Sequence, residues 1–203
     1  MAPDVIRALC DRAAATIIEH AQELTDLDRA IGDGDHGINM KRGFEAIAAQ
    51  ADELSGMAIG QALQKAGMVL VMKVGGASGP LYGSLRIAMG KSMPDVPRSG
   101  SEFAASFAEG IEAVKKRGKS EAGQKTMLDV LVPVLSAIDN EGGDLLSAAR
   151  QAAEQSLNAT KDMKAIKGRA SFLGERSIGH LDPGARSSAL LVNAVCDVLE
   201  AKV

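Results

Sequence analysis

The residues best suited to chemistry lie in one acidic stretch, residues 25–37, which reads TDLDRAIGDGDHG. Four carboxylates this close in sequence would repel one another if they converged, unless a hard cation such as Mg²⁺ or Ca²⁺ neutralised them. We predict that Asp28, Asp33 and Asp35 are metal ligands, because the intervening glycines let the backbone fold back on itself. The alternative is a solvated acidic turn, or an Asp that caps the next helix.

Spacing excludes three familiar motifs. An EF-hand needs Asp-x-Asp-x-Asp-Gly and a closing Glu at the twelfth position, and the acidic stretch has neither. Its glycines match a dinucleotide fingerprint, but the stretch follows a helical pattern instead of a strand and places two Asp in the turn. Two Gly-Lys-Ser tripeptides, at 90–92 and 118–120, lack the earlier glycine of a P-loop. Walker-type ATP binding is therefore excluded.

Two further segments carry residue types that suit phosphate. Small residues in 74–80 let the backbone approach a ligand, and Ser78 lies at the expected start of a helix, where anions are favoured. The alternative there is an ordinary glycine-rich turn. The loop 168–184 carries Arg169, whose guanidinium suits phosphate oxygens, and a long loop with several glycines can close over a ligand. Asp182 in this loop also fits a simple helix cap.

Amphipathic helical patterns cover most of the chain and must position these loops. Apolar residues recur at helical spacing from Pro3 to about Thr25, and no convincing strand pattern is present. Hydrophobic residues make up 46% of the chain and aromatic residues 2%, a composition that favours helices over sheets. We predict an all-α fold, with residues 1–203 forming a single antiparallel up-and-down barrel or bundle of about eight amphipathic helices. The later helices are expected at 39–54, 58–73, 81–89, 102–116, 125–138, 145–159 and 186–201.

Charge and hydropathy exclude two classes of partner. A net charge of −3 with almost no aromatic residues argues against nucleic acid, which normally needs a basic surface and stacking side chains. No run approaches the roughly 18 apolar residues of a membrane span. The first ten residues also lack the order of a signal peptide, so we expect a cytoplasmic protein with no membrane partner.

Taken together, these motifs resemble the nucleotide-binding module of the dihydroxyacetone kinase family, and within it the free-standing L subunit of the phosphotransferase-system enzymes. The resemblance rests on four stretches that appear in family order over nearly the whole chain: Asp28-x4-Asp33-Gly34-Asp35-His36-Gly37-x-Asn39, Gly75–Pro80, Lys125–Asp129, and Gly168–Ser171 followed by Asp182-Pro183-Gly184.

This resemblance implies an eight-helix barrel that holds ADP or ATP at one end through two Mg²⁺ ions, bound by the three aspartates named above. It implies no catalytic side chain on this chain. Two of the implied contacts, Ala77 and Ser78, would touch phosphate, and Met127 would lie against adenine. The full set of implied nucleotide contacts is His36, Gly37, Ile38, Asn39, Ala77, Ser78, Gly118, Met127, Arg169, Asp182, Pro183 and Gly184.

The resemblance also implies partners. A phosphohistidine carrier, the M subunit, would rephosphorylate bound ADP in place, and the γ-phosphoryl would pass to dihydroxyacetone held on a separate K subunit. Several alternatives stay open: an L subunit of an ATP-dependent kinase for a ketose such as erythrulose, an ADP-dependent coregulator of a transcription regulator, and a helical carrier of an apolar ligand. Homodimer formation is also left open.

Overall fold

The computed structural model describes residues 3–94, 99–139 and 144–201, and within these ranges the regular structure is entirely helical. Two short 3-10 helices, Thr160–Asp162 and Arg169–Ser177, precede the last α-helix. The α-helices are α1 Pro3–Glu19, α2 Ala21–Ile31, α3 His36–Ala48, α4 Ala51–Ser55, α5 Ile59–Lys73, α6 Ser78–Ser92, α7 Gly100–Gly118, α8 Leu128–Asp139, α9 Leu145–Ala159 and α10 Pro183–Glu200.

Eight of these helices form a closed ring. Each packs against two neighbours in the order α1, α3, α5, α6, α7, α8, α9 and α10, and α10 returns to α1. The shorter helices α2 and α4 lie beside the ring, α2 against α3 and α10 and α4 against α1. The predicted all-α barrel of about eight amphipathic helices is confirmed, because the eight ring helices bury their apolar stripes in one common core.

Apolar side chains and close backbone contacts fill the barrel. Phe44, Leu70, Tyr82 and Leu128 are among the side chains with less than 2% exposure. A Cβ atom placed on Gly67 would lie 2.8 Å from the carbonyl oxygen of Gly83, so α5 and α6 pack backbone to backbone. Among the described helices, none has the length and apolar character needed to cross a membrane.

The acidic stretch is more helical than predicted. Helix α2 continues to Ile31, so Asp28 lies on a helix and not in a loop, and α3 begins already at His36. The linker that remains is residues 32–35. Asp28 shares the buried side of α2 with Leu24 and Ile31, and a carboxylate in that stripe interrupts the apolar pattern by which the helix would be recognised.

The start of α8 also differs from the prediction. It begins at Leu128 instead of Lys125, because Lys125 adopts a positive φ of 60° and Asp129 Oδ2 accepts the Thr126 N–H at 2.7 Å. Pro133 lies inside α8. The loop predicted after residue 168 contains a 3-10 helix, and α10 begins at Pro183, earlier than predicted, behind an Asp182 cap.

Candidate functional site

Four helix N-termini converge at one end of the barrel. Residues at or just before the starts of α3, α6, α8 and α10 line a single cleft, and the 3-10 segment that begins at Arg169 forms part of its wall. The first backbone N–H groups of a helix have no partner within the helix, and each N-terminus carries a partial positive charge. Four of them around one cleft create a strong preference for an anion.

A cluster of three carboxylates forms part of the same cleft. One ligand oxygen each from Asp28, Asp33 and Asp35 lies within 4.8 Å of the others. Opposite ligands of a bound Mg²⁺ are about 4.2 Å apart, twice a Mg–O distance of about 2.1 Å, so small side-chain rotations bring these oxygens onto one ion. A Cβ atom on Gly32 would lie 2.1 Å from Asp28 Oδ1, so only glycine leaves room for this carboxylate. The donor set fits a hard divalent cation.

Backbone amides hold Asp28 in place. Its Oδ2 accepts the Asp35 N–H at 2.9 Å and the His36 N–H at 3.1 Å. Because both bonds use one oxygen, Oδ1 is left for a cation. The two interpretations that the sequence left open for this stretch, a metal ligand and a cap on the next helix, are therefore compatible in one residue.

Arg169 meets the acidic linker directly. Its Nη2 lies 3.0 Å from Asp33 Oδ2, and both side chains remain partly exposed. From the sequence, only a shared ligand could connect these two distant residues. The direct ion pair between them was not predicted. The pair joins the 3-10 segment to the three-carboxylate cluster and places a guanidinium at the mouth of the cleft.

A buried polar cluster lies beneath the N-termini of α3, α6 and α10. His36 Nδ1 lies 2.9 Å from Ser78 Oγ, and His36 Nε2 lies 2.9 Å from Ser187 Oγ. Tyr82 OH lies 2.8 Å from the hydroxyls of both Ser187 and Ser188. Burial lowers the pKa of His36, and burial raises the pKa of Tyr82 to about 12. Both rings are therefore neutral near pH 7.

Asp182 and Lys125 are buried groups beside the cleft. Asp182 Oδ2 accepts the Ala185 N–H at 2.7 Å, and burial raises the pKa of this carboxyl to about 7. The Lys125 Nζ donates to the carbonyl oxygens of Met163 at 3.0 Å and Ser177 at 2.6 Å, and burial lowers its pKa. Lys125 thus fastens the 3-10 segment to the start of α8.

Most of the predicted residues come together in this cleft. Those that line it are Asp28, Asp33, Asp35, His36, Ala77, Ser78, Met127, Arg169, Asp182, Pro183 and Gly184. The remaining four predicted contacts, Gly37, Ile38, Asn39 and Gly118, are not among its lining residues.

These four residues have other surroundings. Gly37 packs α3 against α2, since a Cβ there would lie 1.9 Å from the Ala21 carbonyl oxygen. Ile38 is 61% exposed, and buried Asn39 accepts a hydrogen bond from Arg42. Gly118 lies at the end of α7, behind the cleft residue Leu81. Their contacts with a nucleotide stay predictions.

Sequence reasoning missed several residues of the cleft, notably Ile31, Tyr82, Lys125 and Lys167. Lys125 lay inside a quoted motif and was the one that could have been found. Tyr82 gave no signal, because a single aromatic residue in an apolar helix is typical of an ordinary core position.

Comparison with known proteins identifies the family. Residues 30–197 match the model of the DAK2 domain. The chain belongs to the DAK2 domain family. This DAK2 chain is 50% identical over 177 residues, covering 87% of each protein, to the PEP-dependent dihydroxyacetone kinase 1, ADP-binding subunit DhaL, of Listeria innocua. It is 44% identical over 174 residues, covering 82% of this chain and 83% of the relative, to the PEP-dependent dihydroxyacetone kinase, ADP-binding subunit DhaL, of Escherichia coli.

A solved structure shares the fold. The dihydroxyacetone kinase of C. freundii, crystallised in complex with AMP-PNP and Mg²⁺, superposes with a TM-score of 0.77 at 22% identity. The alignment covers 96% of the DAK2 chain but only 34% of that kinase. The DAK2 chain thus corresponds in fold to about a third of the longer enzyme.

Proposed function

We propose that this chain is the ADP-binding subunit of a phosphoenolpyruvate-dependent dihydroxyacetone kinase. It holds ADP or ATP through two Mg²⁺ ions at the cleft. A phosphohistidine carrier subunit, M, rephosphorylates the bound ADP, and the γ-phosphoryl passes to dihydroxyacetone on a K subunit. High identity to separate ADP-binding subunits, over more than four fifths of both chains, supports this assignment.

One observation carries the proposal: the three-carboxylate cluster lies in the same cleft as four helix N-termini. The two features have opposite preferences, because backbone amides favour anions and carboxylates favour cations. A free anion would be repelled by the aspartates, and a free cation would be repelled by the N-termini. A nucleoside diphosphate with Mg²⁺ satisfies both, since its phosphates meet the amides while the cation meets the carboxylates.

Phosphoryl transfer needs positioning and charge neutralisation more than a nucleophile from the protein. Mg²⁺, when bound, neutralises the phosphate oxygens as charge develops on them. The amides at the start of α6 bind phosphate, and Arg169 supplies charge-assisted hydrogen bonds at the mouth.

In the transfer, the hydroxyl oxygen of the substrate bonds to the γ-phosphorus, and the bond between that phosphorus and the oxygen bridging to the β-phosphate breaks. The hydroxyl proton must leave during this step. His36 is not free to accept that proton, because both of its ring nitrogens contact serine hydroxyls at 2.9 Å. We propose that the base belongs to the subunit that holds dihydroxyacetone.

The outer wall of the cleft suits an acidic protein partner. Residues 161–180, which we call the basic rim, carry the cations Lys161, Lys164, Lys167, Arg169 and Arg176 against two carboxylates, although the whole chain is acidic. Phe172 in the rim is 89% exposed. Exposed aromatic and Arg side chains are typical anchors of protein interfaces. We assign this surface to the K subunit, whose substrate must reach the mouth of the cleft.

The proposal is tested by reconstitution with the K and M subunits. Turnover of dihydroxyacetone driven by phosphoenolpyruvate is expected with the wild type, none with Asp33→Ala, and full turnover with the matched control Asp26→Ala, an exposed carboxylate outside the cluster. Turnover with free ATP alone, or with erythrulose in preference, would replace the proposal by the ATP-dependent alternative. Binding of a transcription regulator without any turnover would replace it by the coregulator.

A further inference from the structure

The cleft is built from helices that belong to different parts of the fold. Asp28, in the carboxylate cluster, lies on α2, which is outside the ring, whereas Pro183 and Gly184 begin the ring helix α10. Apolar side chains such as Leu24 and Ile31 pack α2 against its neighbours. Apolar contacts are non-directional, so the position of Asp28 relative to the start of α10 is sensitive to any directional contact between the two helices.

Glu23 and Arg186 make such a directional contact. Arg186 Nε donates to Glu23 Oε1 at 2.6 Å, and Arg186 Nη2 donates to Glu23 Oε2 at 3.2 Å. The Arg186 side chain is 20% exposed and the Glu23 side chain 39%. His20, which precedes α2, also contacts this carboxylate, with its Nδ1 2.6 Å from Glu23 Oε2. A bidentate pair between a guanidinium and a carboxylate fixes orientation as well as distance.

The ion pair flanks the cleft without lining it. Glu23 precedes Asp28 on α2, and Arg186 lies in the first turn of α10, where its backbone N–H donates to the Asp182 carbonyl oxygen at 2.9 Å. Neither Glu23 nor Arg186 is among the residues that line the cleft. The pair can therefore influence a ligand through the helices that it joins.

We infer that Glu23 and Arg186 are positioning residues. Their ion pair locks α2 to the first turn of α10 and thereby holds Asp28 where a complex of Mg²⁺ and nucleotide requires it. This inference rests on the proposed function for the identity of the ligand.

Two backbone amides report the position of Asp28 in the absence of any ligand. The N–H groups of Asp35 and His36 donate to Asp28 Oδ2 at 2.9 Å and 3.1 Å. Asp35 is the N-cap of α3 and His36 its first residue, so neither N–H has a partner within the helix. If α2 shifts, these two amides lose their acceptor and exchange their hydrogens faster with solvent.

The first test measures this exchange by NMR in the ligand-free protein, relative to the core amide of Leu131, which monitors global stability. Glu23→Gln and Arg186→Met should each speed exchange at Asp35 and His36 several-fold. Arg186→Lys keeps the charge without the two parallel bonds, so it should lie between Arg186→Met and wild type.

A second ion pair of α10 provides the matched control. Arg12 donates through Nε and Nη2 to Asp197 Oδ2 at 2.9 Å and 2.6 Å, and this pair joins α1 to the far end of α10. Arg12→Met should leave exchange at Asp35 and His36 as in wild type. Wild-type exchange in Glu23→Gln and Arg186→Met would overturn the inference, as would equal acceleration in Arg12→Met, because the effect would then be a general loss of stability.

The second test asks whether the pair acts on the ligand through Asp28. Calorimetry of ADP binding over a series of Mg²⁺ concentrations should show that Glu23→Gln and Arg186→Met each need several-fold more Mg²⁺ for half-maximal binding. The double variant should need no more than either single variant, because each one already breaks the same contact. Arg12→Met should keep the wild-type requirement.

Additive losses in the double variant would overturn the inference. So would a loss of ADP affinity in Arg186→Met alone that saturating Mg²⁺ cannot recover, since Arg186 would then bind the nucleotide directly. If wild type itself binds no ADP at any Mg²⁺ concentration, the proposed function fails, while the exchange rates still decide whether the ion pair positions Asp28.

Discussion

Replacing Asp35 by Asn is expected to stabilise the metal-free protein and to abolish Mg²⁺-dependent nucleotide binding. The carboxylate oxygens of Asp28, Asp33 and Asp35 lie within 4.8 Å of one another. At that separation two unit charges repel by about 1 kcal/mol in water and by about 3 kcal/mol at the effective dielectric of a partly buried site. Asp33 already has Arg169 to offset part of this repulsion, which makes Asp35 the better probe.

The stabilisation of the Asp35 charge by the dipole of α3 must be subtracted from this relief of repulsion. Asp35 is the N-cap residue of α3, where a negative charge gains about 0.3 to 1 kcal/mol from the helix dipole. The Asp35 side chain makes no capping hydrogen bond, so the Asn variant loses only this charge effect. The net gain is about 1 kcal/mol, which raises the melting temperature of a chain of 203 residues by about 2 to 4 °C.

Thermal unfolding followed by circular dichroism measures both effects. In a chelator, Asp35→Asn should melt above wild type, whereas in Mg²⁺ and ADP the order should reverse, because only wild type gains ligand stabilisation. Asp26→Asn is the matched control, since Asp26 lies in the same acidic stretch but pairs with Arg29 outside the cluster. It should keep the full ligand-induced shift. A lower melting temperature for metal-free Asp35→Asn, or an unchanged shift with Mg²⁺ and ADP, would refute the reasoning.

Three further predictions concern the rest of the cleft. Arg169→Ala should weaken ADP binding about tenfold and Arg169→Lys by less, because Lys cannot reproduce a bidentate charged contact; equal affinities by calorimetry would remove Arg169 from the site. Phe172→Ser should leave ADP binding unchanged but weaken association with the K subunit, as measured by surface plasmon resonance. Unchanged association would show that the basic rim is not the contact surface for the K subunit. Burial raises the pKa of Asp182 to about 7, so the folded state binds a proton that the unfolded state has released above its ordinary pKa of 3.8. This contribution to stability is lost as pH rises from about 4 to 7. In denaturant titrations, the free energy of unfolding should depend less on pH for Asp182→Asn, which keeps the cap, than for wild type. Parallel pH profiles of the two proteins would contradict the raised pKa of Asp182.

The features that could be predicted from the sequence depend on local patterns. The helical repeats predict the barrel because each ring helix buries one stripe. The acidic stretch predicts the carboxylate cluster because its three aspartates are neighbours in the chain. The extent of α2 was missed because Asp28 occupies a buried position usually held by an apolar residue. The cost of burying this carboxylate is offset by hydrogen bonds from the backbone amides of Asp35 and His36. The periodicity of the sequence does not reveal these bonds.

The features that could not be predicted depend on packing between distant segments. The ion pair of Arg169 with Asp33 requires the 3-10 segment to fold over the linker, and the convergence of four N-termini requires the ring to close. Tyr82 lies in α6 and Ser187 in α10, far apart in the chain, so only the assembled barrel places them beneath His36. Local spacing therefore predicts the carboxylate cluster, whereas long-range packing determines its surroundings.

The central claim is that the cleft holds a nucleoside diphosphate through divalent cations. Calorimetric titration of ADP into nucleotide-free protein tests it most directly, performed once with Mg²⁺ and once with a chelator. We predict saturable binding at one site with Mg²⁺ and a loss of that binding in the chelator, because the carboxylate cluster repels uncompensated phosphates. Binding of ADP with the same affinity in both conditions, or no binding in either, would contradict the account.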